Sequence, residues 1–288
     1  MDHRGYIRDV SRPLVPKPTG VEPKIALLDG VRAVVFDIYG TLVISDAGEI
    51  GAGANERRVA AMGRVIDELG RTLDVASLVL SYDDHIERAL LLGRKLGVDC
   101  PEVEIREVWR DILHQHSVGS ISDERIEEIA IIYECASNPV WPMPEAGPVL
   151  EYLDSAGLKL GIISNAQFYT PIVLESLFEA TLHEMGFADD WMVYSYRLRQ
   201  GKPSSAVYEV MKIQAETVGI LPDEILYVGN DMVKDVEPAA AVGFKTCLFA
   251  GDGRSLRLGN GGIEDAKRLA DAIVTSLDQI PNLLAAKL

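Results

Sequence analysis

Between residues 31 and 276 the chain repeatedly builds a short apolar run of strand length and then changes character. VRAVVF (31–36) stops at Asp37, LKLGIIS (158–164) at Asn165 and EILYVG (224–229) at Asn230; WMVYSY (191–196), FKTCLFA (244–250) and the shorter DAIVTS (271–276) complete the series. Nearly unbroken apolar runs rich in β-branched residues suit strands buried on both faces. Helical segments lie between them, so the alternation predicts a parallel, doubly wound α/β sheet. With 288 residues, 48% of them hydrophobic, the chain can bury one large core and support a second, smaller domain.

The alternation is interrupted once. From about Ala54 to Ser137 the sequence reads as four helical pieces, ANERRVAAMGRVIDELG, DVASLVLSYDDHIERALLLGRKLG, PEVEIREVWRDILHQHS and SDERIEEIAIIYECAS, and the proline-rich NPVWPMPEAGP closes the block. The expected organisation is an extended N-terminal arm over 1–28, an α/β core made of 29–45 and 141–288, and a helical insertion over 46–140. Pro13, Pro16, Pro18 and Pro23 keep the arm short of backbone donors, as in a segment laid over the core or a partner subunit.

A net charge of −16 argues against nucleic acid and anionic membranes as partners, because either would be repelled over most of the surface. Cys100, Cys135 and Cys247 are far apart and lack metal or redox spacing, and no apolar stretch is long enough for a signal peptide core or a membrane span. A cytoplasmic protein with a small-molecule substrate is expected, and no sequence feature indicates a homo-oligomer.

In a doubly wound sheet, ligands bind beyond the carboxyl ends of the strands. Four polar groups fall there: Asp37, Ser164 with Asn165, Lys202 before Pro203, and Asn230, Asp231 and Asp235. Each alone is an ordinary cap or turn residue. In this order, VVFDIYGTLV, IISN, GKP and YVGNDMVKD resemble the four motifs of the haloacid dehalogenase superfamily, over roughly residues 31–280, with the helical block in the place of that family's cap. The resemblance implies a Rossmann-like core with an inserted helical cap, and Asp37 as a nucleophile that forms a covalent aspartyl intermediate.

The residue types suit that chemistry. A carboxylate nucleophile needs donors for the charge that develops opposite it, and Gly40, Thr41, Ser164, the Asn165 backbone and Lys202 are placed to bind substrate or supply them. Crowded acids are relieved by a hard divalent cation, so Mg²⁺ is the implied cofactor. By the resemblance its ligands are Asp37, the carbonyl of Tyr39 and a fourth-motif side chain: Asp231 in the first registration, Asn230 in the second, with Asp235 supporting.

One residue departs from the phosphatases of the superfamily, which carry a second aspartate two positions after the nucleophile. Here that position is Tyr39. A phenol, with a pKa of about 10, can donate a proton but is a poor base near neutrality, at a cost of up to about 10²- to 10⁴-fold. Tyrosine there resembles the 2-haloacid dehalogenases, whose halide leaves without a proton. The paired Asp231 and Asp235 weigh the other way, as do the stretch SDAGEIGAGANERR, which does not resemble the dehalogenase cap entrance, and the lack of any sequence feature that points Arg57, Arg58, Arg106 or Arg110 inward. A Mg²⁺-dependent phosphohydrolase of small phosphorylated metabolites is therefore the first expectation, a metal-independent 2-haloacid dehalogenase the second, and a catalytically weak ligand- or protein-binding relative the third.

Three further features read as structural. Gly48, Gly51 and Gly53 suit a hinge into the insertion, His114 and His116 suit a surface helix, and Arg254 and Arg257 suit a solvated loop.

Overall fold

The structure, a computed structural model, describes residues 1–46 and 52–284. Six parallel strands make one sheet in the order β5-β4-β1-β6-β7-β8. They are β1 (Ala33–Phe36), β4 (Lys159–Ser164), β5 (Phe187–Tyr194), β6 (Ile225–Gly229), β7 (Lys245–Phe249) and β8 (Ala272–Val274). Each lies on an expected apolar run. On β1, Val34 and Phe36 pack into one apolar cluster and Ala33 and Val35 into another on the opposite face. Because both faces are covered, the run carries no polar alternation.

β5 begins earlier than the sequence implies and ends at Tyr194; Ser195–Leu198 form the short helix α8 instead of continuing the strand. The Ser195 hydroxyl is drawn off the ladder to accept from Ala166 N at 2.9 Å.

Four helices form the insertion: α2 (Ala52–Leu69), α3 (Val75–Lys95), α4 (Ile105–Gln115) and α5 (Asp123–Ser137). The Asp74 side chain caps α3 through Ser77 N, and Ser122 caps α5 through Arg125 N, with Asp123 and Glu124 in its positive first turn. The two chain crossings into and out of the insertion pair with each other, β2 (Val43–Ser45) antiparallel to β3 (Val140–Pro142). Gly48 and Gly51 of the expected hinge lie outside the described residues, and Gly53 falls in the first turn of α2.

The N-terminal arm is not extended throughout. His3–Val10 form helix α1, which buries Ile7 completely and packs against both α5 of the insertion and α7 (Thr170–Phe178) of the core. The prolines begin only after this segment, and Tyr6 and Ile7 supply the apolar face that stabilises the helix against its neighbours. The rest of the arm follows the core: Lys24 exchanges backbone hydrogen bonds of 2.8 and 3.0 Å with Ile273, covering the β8 edge of the sheet. Among the described residues no helix is long and apolar enough to cross a membrane.

Candidate active site

Asp37 directly follows β1, and its N–H still joins the sheet by donating to the Val228 carbonyl at 2.9 Å. The chain then turns tightly, with the Ile38 carbonyl accepting from the N–H groups of Thr41, Leu42 and Val43. Gly40 sits at φ +86°, and a Cβ there would lie 2.5 Å from Ser255 Cβ. The turn requires glycine for both reasons.

Lys202 approaches from the neighbouring loop, and Asn165 is the reason it stays there. Asn165 Oδ1 accepts from Lys202 N at 2.7 Å and its Nδ2 donates to the Lys202 carbonyl at 3.2 Å, so this side chain clamps the lysine backbone. Lys202 Nζ then spends its three donors on Asp37 Oδ1 at 2.7 Å, Asp235 Oδ1 at 2.5 Å and the Tyr227 hydroxyl at 3.2 Å. Burial opposes a charge on Lys202, but Asp235 and Asp37 together hold its pKa above the ordinary lysine value. Burial likewise pushes the Asp37 carboxyl above the usual carboxylate range, against the pull of Lys202.

The fourth motif divides its work. Asp235 is held at both oxygens: its Oδ1 receives Lys202 and lies 3.0 Å from the Tyr227 hydroxyl, and its Oδ2 accepts from Asp231 N at 3.0 Å. Gly229 lets it tuck beneath the strand end, since a Cβ there would come within 2.4 Å of Asp235 Cγ. Asp231 caps the following turn, its Oδ1 accepting from Val233 N and Lys234 N at 2.9 and 3.0 Å. Asn230 Oδ1 accepts from Thr41 Oγ1 at 3.1 Å and its Nδ2 donates to the Ser255 carbonyl at 2.6 Å. Thr41 is thus turned toward Asn230.

The implied Mg²⁺ can be tested against this donor set. Among the described residues no group of three or more His, Cys, Asp or Glu side chains is arranged to hold a metal ion. Asp235 Oδ1 receives Lys202 and the Tyr227 hydroxyl and its Oδ2 one backbone N–H, the Asn230 amide is used at both ends, and a single Lys202 ammonium lies against two carboxylates. Mg²⁺ is usually held by one or two carboxylates with water in the remaining positions, and Asp37 and Asp231, which both line the cavity, are the carboxylates that would hold it.

A cavity of about 390 Å³ opens over Asp37, lined also by Tyr39, Ser164, Asn165, Lys202, Asn230, Asp231 and Asp235. Ser164 Oγ is buried and has no hydrogen-bond partner among the described residues. A buried donor left unmet by the fold is available to a ligand. The Tyr39 hydroxyl instead lies 3.0 Å from Thr170 Oγ1, and burial, with the Glu134 carboxylate nearby, pushes its pKa well above the ordinary phenol value.

Other lining residues were not evident from sequence. Glu102 and Glu134 come from the insertion and Gln167 and Tyr169 from the turn before α7, while Tyr227 reaches Lys202 from within β6 without lining the cavity. Arg257 also lines the cavity, while half-buried Arg254 pairs with Asp252 and Asp46, so this loop is folded onto the core where a solvated one was expected. Arg57, Arg58, Arg106 and Arg110 pair with Asp46, Asp83, Glu104 and Asp123 respectively. His114 is exposed, and His116 Nε2 lies 2.9 Å from Ser81 Oγ, away from the site.

Residues 31–243 match the model for the haloacid dehalogenase-like hydrolases. A phosphoglycolate phosphatase of Salmonella choleraesuis (strain SC-B67) is 27% identical over 227 residues, 75% of this chain and 80% of that protein. A (S)-2-haloacid dehalogenase of Pseudomonas putida is 24% identical over 264 residues, 91% of this chain and all of that protein. The crystal structure of a 2-haloacid dehalogenase from Pseudomonas syringae pv. Tomato DC3000 shares the fold with a TM-score of 0.57 at 22% identity, covering 88% of this chain and 97% of the other.

Proposed function

Because this chain belongs to the haloacid dehalogenase-like hydrolase family, we propose that it is a hydrolase in which Asp37 displaces a leaving group from carbon and forms a covalent ester, the chemistry of a hydrolytic dehalogenase. The observation that carries this reading is Tyr39. The residue placed to handle a leaving group's proton is a phenol bonded to Thr170 and raised in pKa, a weak acid that is seldom ionised. A halide departs without a proton, whereas an alkoxide released from a phosphate ester does not leave readily without one. Asp231 and Asp235, which from sequence favoured a metal, are engaged in capping and in holding Lys202.

In the first step an Asp37 oxygen bonds to the substrate carbon as the carbon–halogen bond breaks and the halide leaves with the bonding pair. Water then adds to the Asp37 carboxyl carbon, the acyl–oxygen bond breaks, and the alcohol product and a proton are released. Lys202 stays against the Asp37 oxygen on which charge develops, and Ser164 Oγ, in the lining of the same cavity, is a donor without a partner among the described residues.

A phosphohydrolase of small phosphorylated metabolites is the second reading, supported by Asp231, a further carboxylate lining the same cavity. Free halide followed with a panel of charged and uncharged small 2-chloro compounds, and free phosphate followed with an aryl phosphate, each with Mg²⁺ or chelator, separates the two. Halide release indifferent to chelator and lost in Asp37→Asn supports the lead. Mg²⁺-stimulated phosphate release without halide release would establish the second reading. Silence in both assays would point to a binding protein.

A further inference from the structure

The wall that the helical insertion turns toward the nucleophile is an acceptor surface with no cation of its own. Its two ionisable contributions to the cavity are Glu102 and Glu134. Glu134 is fixed by Tyr169, whose hydroxyl donates to Oε2 at 2.8 Å, and by Asn138, whose Nδ2 donates to Oε1 at 2.9 Å. Glu102 is fixed by the Ser195 hydroxyl at 2.9 Å and by Val103 N at 2.8 Å. Both carboxylates are thus held by the fold, and each oxygen keeps acceptor capacity beyond these bonds.

The cations that line the cavity, Lys202, Lys234 and Arg257, all come from the core and are outnumbered by the carboxylates Asp37, Glu102, Glu134, Asp231 and Asp235. The arginines of the insertion that form ion pairs, Arg58 and Arg106 among them, do so with carboxylates of the insertion, and none of its arginines lines the cavity. Of the core cations at the cavity, Lys202 is held by Asp37 and Asp235, and Lys234 is exposed with its charge acting on Glu102. Arg257 donates to the Arg254 and Leu256 carbonyls at 2.8 and 3.0 Å. A substrate carboxylate placed against the Glu102 and Glu134 wall would meet like charge in a low-dielectric cleft. The partnerless Ser164 Oγ independently marks this cavity as a ligand site, at the end where the reacting atom would lie.

We infer that the substrate presents hydrogen-bond donors, an amide, hydroxyl or ammonium group beside the reacting carbon, to Glu102 and Glu134, and that 2-haloacid anions are disfavoured. This rests on the reading of Asp37 as a nucleophile at carbon. It makes the two glutamates specificity-determining residues: they orient the part of the substrate that does not react, and the bond-breaking step at Asp37 is unchanged.

The decisive comparison is an isosteric pair, 2-chloropropionamide against 2-chloropropionate, with chloride release measured for the wild type, Glu102→Gln and Glu134→Gln. The wild type is expected to favour the amide by about tenfold or more in kcat/KM, the scale of one hydrogen bond to a charged group. Each glutamine variant should narrow that preference, mainly through KM. Preference for the carboxylate, or an amide preference untouched in both variants, would overturn the inference. If neither compound releases chloride, the reading of the reaction fails, and the inference is judged by calorimetry on Asp37→Asn with lactamide and lactate. Tighter binding of lactamide supports it; tighter lactate, equal binding or no binding overturns it.

Discussion

Lys202 Nζ sits 2.5 Å from Asp235 Oδ1 and 2.7 Å from Asp37 Oδ1, so that one ammonium group joins two buried carboxylates. Removing the ammonium in Lys202→Met leaves Asp37 and Asp235 buried without their cation. A loss of about 3–5 kcal/mol in urea unfolding is expected, together with loss of activity. Asp37→Asn in the same background should recover part of that stability, because one uncompensated charge disappears.

Ser164 supports the opposite expectation. Its hydroxyl is buried and has no partner among the described residues, so Ser164→Ala should leave stability unchanged or slightly higher. The activity cost should be about 10²-fold in kcat, the range of a lost oxyanion donor. A melting curve and steady-state kinetics on one preparation test both halves.

Asp37 attacks only when ionised, and burial raises its pKa, with Asp235 adding to the rise and Lys202 opposing it. The acid limb of kcat/KM should therefore lie above the ordinary aspartate value of about 3.9, activity falling as pH drops through it. Asp235→Asn removes a neighbouring negative charge and should move this limb to lower pH. A pH–rate profile of the two proteins reads the shift and its sign.

Tyr39 gives a prediction that separates the two chemistries. Tyr39→Phe removes the hydrogen bond to Thr170 and should cost about 1 kcal/mol of stability. Chloride release should change by less than about threefold, since no proton passes through the phenol in the proposed step. A loss of about a hundredfold would assign the phenol a role as acid.

Helix α1 touches both the insertion and the core, with Ile7 fully buried between them. Ile7→Ala should cost about 2–5 kcal/mol. If α1 also holds the insertion over the cavity, proteolysis in the β2 and β3 crossings should be faster in this variant than in others of equal stability.

Much of the site was legible because strands buried on both faces announce themselves as unbroken apolar runs, and the residue that ends each run lies at a ligand-binding edge. Asp37, Ser164 and Asn230 are found in this way. Lys202 stood out only through its order relative to the others. Tyr227 did not, since inside β6 an aromatic residue looks like core, and only the bend of the chain brings its hydroxyl to Lys202 and Asp235. Glu102 and Glu134 lie among many solvated glutamates of a helical block, and no local pattern tells an inward carboxylate from an outward one. The helix at residues 3–10 was hidden by the prolines that follow it.

The sequence alone determined the doubly wound core, the place of the insertion, and the strand-end residues, because these follow from local burial patterns and short-range turn chemistry. Tertiary structure alone decided how the acids are used. Asp231 caps a turn and Asp235 holds Lys202 because the donors around them, Lys202, Tyr227 and backbone N–H groups, arrive from segments that only the fold brings together.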